Sequence, residues 1–227
     1  SPRVLQLTRY VNGEERNTAM STSRGLDPLI AWQRLRAGNE RFFLPVRGQR
    51  EELLDERPAA VVFRCADTGL ASEMVFGQSW GSLIDVSTWG HVLDKGVMGS
   101  LEYAVDTLEV PLIVVLGHQD CHAMRTAMRA WTDAVIPDGA ARMVVEQTLG
   151  SIVRRGAAAD SVQTVTAAHV AETGLALLER SPVIARRVDA GNCAIVCATT
   201  DSADGRLTVH ATIGAVGEVD GALLECV

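Results

Sequence analysis

Apolar residues gather into short, nearly unbroken runs separated by longer amphipathic stretches. Ala59–Cys65 and Pro111–Gly117 are apolar almost throughout, as expected of strands covered on both faces. Leu83–Val86 is a weaker strand, interrupted by Asp85. Helical spacing runs over Gly96–Leu108, with Val97, Leu101, Ala104, Val105 and Leu108 on one side. It returns over Cys121–Trp131, Ala140–Arg154 and Ser161–Leu178, and Pro182 suits the first turn of a helix reaching Val188. A short helix is predicted over Ser72–Gln78 with Ser72 as its cap. Leu26–Phe43 fits an amphipathic helix loosely, with Gly38 its weak point, and Gly48–Glu56 is a charged linker. Near the end, Cys193–Thr200 and Arg206–Thr212 read as two strands joined by Ser202–Ala203–Asp204–Gly205, a hairpin turn signal.

Alternation of strands and helices predicts an α/β fold. The expected form is one domain, a mostly parallel central sheet flanked by helices, with an antiparallel C-terminal edge hairpin. Residues 1–25 are assigned to an irregular N-terminal arm and 26–227 to the domain. The 227 residues are enough for one substantial core, and 47% hydrophobic with 22% charged residues is ordinary for a globular protein. A net charge of −7 without a basic block argues against nucleic-acid binding. No apolar run is long enough for a bilayer, and Ser1–Ser23 lacks the apolar middle of a signal peptide. Five cysteines, an odd number, do not read as a disulfide framework, so a reducing cytoplasm is expected.

Cys65 and His118 sit where the two clearest strands end, and Cys121 follows three residues later. Ligands of open α/β sheets bind just beyond these carboxyl ends. Two thiolates and an imidazole suit tetrahedral Zn2+ and leave a fourth position, which Asp67 is placed to fill. Cys193 and Cys197 share a strand face too far apart for a disulfide and are assigned to the core. Cys226 is read as free, and His169 and His210 are given no chemistry. Asp120 is read as the cap of the helix that begins at Cys121.

Three segments, Cys65–Ala66–Asp67, Gly96–Val105 and Pro111–Cys121, resemble the β-class carbonic anhydrases, particularly the bacterial branch. Gly38–Asn39–Glu40–Arg41–Phe42, Ser181–Pro182–Val183–Ile184 and Asp204–Gly205–Arg206 extend the likeness. The resemblance implies zinc held by Cys65, His118 and Cys121, with Asp67 as catalytic residue and switchable ligand. It implies interconversion of carbon dioxide and bicarbonate. It also implies a homodimer or dimer-based tetramer, with the pocket at the subunit interface.

The chain departs from that family where the chemistry is done. The family reads C-x-D-S-R, whereas this chain reads Cys65–Ala66–Asp67–Thr68–Gly69. The missing Arg is the one that draws the family's Asp off zinc. A second family Arg is Ser87 here, and bulk or polarity is added at Trp89, Asp120 and His122. Gln78, Trp89, His91 and His122 are assigned to the substrate pocket. His122 is weighed as a proton shuttle against a surface histidine. Alternation turns Arg64 away from Cys65, so Arg125, one turn after Cys121, is the better candidate to replace the lost Arg. Three functions follow: a weakened carbonic anhydrase, a zinc enzyme for another small electrophile, or an inactive closed-zinc paralogue with a structural or regulatory role.

Overall fold

The computed structural model describes residues 58–216 together with Leu29, Ile30, Trp32, Gln33 and Arg36. Those five are helical, within the stretch expected to be amphipathic. The rest of that helix, the irregular arm, the charged linker and Cys226 lie outside the described residues. The chain divides into two compact units, Ser1–Arg47 and Gly48–Val227.

Among the described residues of the second unit, five strands form one sheet. They are β1 (Ala60–Cys65), β2 (Leu83–Thr88), β3 (Leu112–His118), β4 (Ala194–Thr200) and β5 (Leu207–Ile213), in the order β2-β1-β3-β4-β5. The first four run parallel, and β5 closes the edge antiparallel to β4, as the turn signal implied. Six α-helices link them: α1 (Ser72–Phe76), α2 (Lys95–Glu102), α3 (His122–Asp133), α4 (Arg142–Arg155), α5 (Val162–Arg180) and α6 (Pro182–Asp189). The α2 helix passes directly into a wider turn over Tyr103–Thr107. No helix among the described residues is long and apolar enough to cross a membrane.

Strand alternation sorts the core. Val61 and Phe63 of β1 join Ile113, Val115, Ile195 and Cys197 on the face covered by α2, α5 and α6. Ala60 and Val62 join Val114, Leu116 and Ala198 on the other face, under Val75 and Phe76 of α1. Arg64 takes this second face and pairs with Asp85 of β2 at 3.4 Å. Asp85 does not interrupt β2, which runs on to Thr88, because its carboxylate is partnered at the sheet edge.

Two predicted caps are corrected. Ser72 bonds Asp85 rather than the start of α1, whose cap position is Ala71. Asp120 pairs with Arg125 at 2.7 Å, and Cys121 stands at the cap position of α3. Side-chain caps do form at Asp94, Ser161 and Ser181, each accepting a backbone N–H three residues on. Cys193 and Cys197 are buried and free, as core residues.

Gly174 shows how tightly α5 lies on the sheet. A Cβ there would strike the Cys197 sulfur. Gly→Ala inside a helix normally gains up to about 1 kcal/mol. Here Gly174→Ala is expected to cost about 1–3 kcal/mol in urea unfolding, and adding Cys197→Ala should recover most of that loss.

Candidate metal centre

The parallel pairing of β1 with β3 brings the ligands together. Arg64 stands opposite Leu116, so Cys65 and His118 both fall at the carboxyl edge of the sheet. By alternation the two belong to opposite faces, and they converge only because both strands end there. After β1 the chain turns at once: Ala66 N–H donates to Thr88 O at 3.0 Å and Thr68 N–H to Cys65 O at 3.3 Å. This turn folds Asp67 back over the strand end.

Ligand atoms of Cys65, Asp67, His118 and Cys121 lie within 4.8 Å of one another. The Cys65 and Cys121 sulfurs are 3.7 Å apart. Two thiolates bound at about 2.3 Å to a tetrahedral zinc stand about 3.8 Å apart, so the pair fits that ion. His118 Nδ1 faces the Gln119 carbonyl at 2.9 Å, and therefore carries the proton and leaves Nε2 for the centre. Asp67 Oδ1 lies 2.6 Å from His118 Nε2, 2.8 Å from Cys65 Sγ and 3.8 Å from Cys121 Sγ. Asp67 Oδ2 accepts the His122 N–H at 3.0 Å.

Titration in the cluster is coupled. The hydrogen bond between the thiols, more than burial, pushes Cys65 up, and the same bond pulls Cys121 down. Burial opposes the charged forms of Asp67 and His118. Hydrogen bonding with Cys65 and the Asp67–His118 attraction outweigh it, holding Asp67 below and His118 above their ordinary values. Protons gathered in this way are those a divalent cation displaces.

The carbonic anhydrase family matches residues 60–207, a span that contains all four of these side chains. The chain belongs to the β-class carbonic anhydrases. It is 42% identical over 202 residues to a carbonic anhydrase of Mycolicibacterium smegmatis, covering 85% of this chain and 98% of that one. Its fold is similar to the β-carbonic anhydrase CcaA, with a TM-score of 0.64 at 18% identity over 80% of this chain and 95% of that chain. It is also similar to structures of two tetrameric β-carbonic anhydrases of Sordaria macrospora, with a TM-score of 0.61 at 19% identity over 80% and 94%.

Among the described residues no arginine reaches Asp67. Arg64 is committed to Asp85 and the Leu70 carbonyl, and Arg125 to Asp120. Gly69 is exposed, and a Cβ added there would meet nothing within 4 Å.

The pocket residues divide. Trp89 packs against the apolar cluster containing Cys65 and Cys121. His122 is 75% exposed, with Nδ1 3.8 Å from Asp67 Oδ2. Gln78 is exposed and donates to the Phe76 carbonyl at 3.0 Å. His91 is buried, donates from Nε2 to the Leu116 carbonyl at 2.9 Å and meets Phe63 edge-on. Two contributors were missed from sequence. Gly90 N–H donates to Cys65 Sγ at 3.1 Å, and His169 lies behind Gly90.

Burial, helped by His169 and opposed by the Leu116 bond, depresses the His91 pKa to about 3. Above the ordinary 6.5 the ring is neutral in both folded and unfolded chains. Below it the unfolded chain takes a proton that the fold refuses. Stability should therefore fall as the pH drops from about 6.5 towards about 3, with His91 contributing to the decline. Urea midpoints should show a shallower decline for His91→Gln.

Proposed function

We propose that Cys65, His118 and Cys121 hold zinc with Asp67 as fourth ligand, and that this closure makes the chain a slow carbon dioxide hydratase. The supporting observation is Asp67 Oδ1 among the three ligand atoms, with no guanidinium partner among the described residues. Zinc, when bound, supplies the Lewis acidity of the family's reaction. Cys65 and Cys121 neutralise its charge, and the His118 ring is fixed by the Gln119 carbonyl.

Turnover requires Asp67 to leave the fourth position. A charge-assisted pair with Arg at residue 69 would compensate that departure, and Gly69 offers none. Once turned out, Asp67 keeps the His122 N–H and accepts a proton, which the exposed His122 ring passes to solvent. Trp89 stands on the apolar side of the centre.

The working form in this proposal is a homodimer or dimer-based tetramer in the cytoplasm. Exposed Leu70, Met74 and Trp80 follow β1 closely in the chain and provide apolar surface for a second copy. The four described cysteines are free, which suits a reducing compartment.

Stopped-flow hydration by zinc-loaded protein tests this, at about pH 7 and about pH 9 with Cys65→Ser as blank. Wild type should lie close to the blank at both. Gly69→Arg, for which the structure leaves room, should exceed wild type by about tenfold or more. Wild-type activity far above the blank would overturn the closed reading.

A further inference from the structure

We propose that His169 is a positioning residue for the metal centre, holding Gly90 so that its N–H is delivered to the Cys65 sulfur. This rests on Cys65 being a zinc ligand. His169 belongs to α5 and is only 2% exposed. Its Nε2 lies 2.9 Å from the Gly90 carbonyl, an acceptor only, so Nε2 carries the hydrogen. Burial holds the ring below its ordinary pKa and therefore neutral. Nδ1 is then an acceptor, and the Ser151 hydroxyl at 2.9 Å turns its single proton to it rather than to the Gln147 carbonyl at 3.1 Å. One connected path runs from Ser151 through His169 and Gly90 to Cys65.

Gly90 itself needs holding. It sits at φ 66° and ψ 29°, and His91 follows at φ 55°, so two successive residues are left-handed. A Cβ on Gly90 would come within 2.6 Å of Val144 and 2.9 Å of Ala123. The turn is thus wedged between β1 and helices α3 and α4. His91 fastens one end to Leu116 of β3, and His169 fastens the Gly90 carbonyl. A left-handed pair persists only where its surroundings over-determine it. What the conformation yields is a backbone N–H directed at a sulfur. Such a bond disperses thiolate charge and fixes the sulfur's lone pairs, and loss of a comparable outer partner costs about 10–100-fold in metal affinity.

His169 and Ser151 also line a cleft of about 190 Å³ between α4 and α5. Truncation at residue 169 therefore opens onto solvent instead of leaving a sealed void. Gln is the conservative replacement, since its amide nitrogen extends to the place of Nε2.

The test is zinc affinity by chelator competition, together with the thiolate-to-metal absorption of the cobalt(II)-loaded protein. It compares wild type, His169→Ala, His169→Gln and Leu101→Ala. Leu101 is buried in a core cluster that contains neither Cys65 nor Cys121 and controls for general destabilisation. His169→Ala should weaken zinc binding about 10–100-fold and shift the cobalt band, and His169→Gln should restore both towards wild type. Leu101→Ala should leave the band in place. If wild type binds zinc, but His169→Ala keeps its affinity and band, the positioning role is overturned and the ligand set stands. If wild type binds no zinc, both fall.

Discussion

Everything at this centre depends on β1 and β3 pairing in parallel and ending together. Parallel strands with both faces covered must be apolar along their length, which leaves their carboxyl ends as the nearest place for polar chemistry. Cys65 ends β1, His118 ends β3, and Cys121 opens the helix that leaves β3. No loop excursion is needed to assemble the ligands, so their geometry inherits the rigidity of the sheet. The sulfur separation of 3.7 Å, matched to a tetrahedral ion, joins the end of β1 to the start of α3, just beyond the turn that follows β3.

Within that frame, the behaviour of the site turns on one carboxylate. Among the described residues, Asp67 is drawn inward by Cys65 and His118, and outward by the His122 backbone N–H and, at 3.8 Å, the exposed His122 ring. A backbone donor and a solvent-exposed imidazole are weak competitors for a dication. Among the described residues, the arginines closest in sequence to the ligands are occupied elsewhere, Arg64 because alternation places it across the sheet and Arg125 because Asp120 intercepts it. In the proposed reading, a single Gly at residue 69 thus shifts the balance of the Cys65, Asp67, His118 and Cys121 cluster.

The ligand set and the sheet were legible because both are written in local patterns. Buried runs marked β1 and β3, and the hairpin signal at Ser202–Gly205 marked the antiparallel edge. What sequence reading missed was decided by partners distant along the chain. Ser72 looked like a cap until Asp85, 13 residues on, claimed its hydroxyl. His169 offered no ligand spacing, yet α5 carries it to a residue 79 positions earlier. Gly90 drew no reading of its own from the sequence, although its tight surroundings and its bond to Cys65 make it part of the centre. The motif supplies the metal's ligands, whereas the packing of α4 and α5 supplies what stands behind them.

The most direct measurement is a crystal structure of the zinc-loaded protein at alkaline pH, where hydroxide competes best for the fourth position. The account predicts Asp67 oxygen at about 2.0–2.2 Å from zinc, completing a tetrahedron with Cys65, His118 and Cys121. Asp67 turned away from the metal, held by a cation from this chain or a partner subunit, would contradict it.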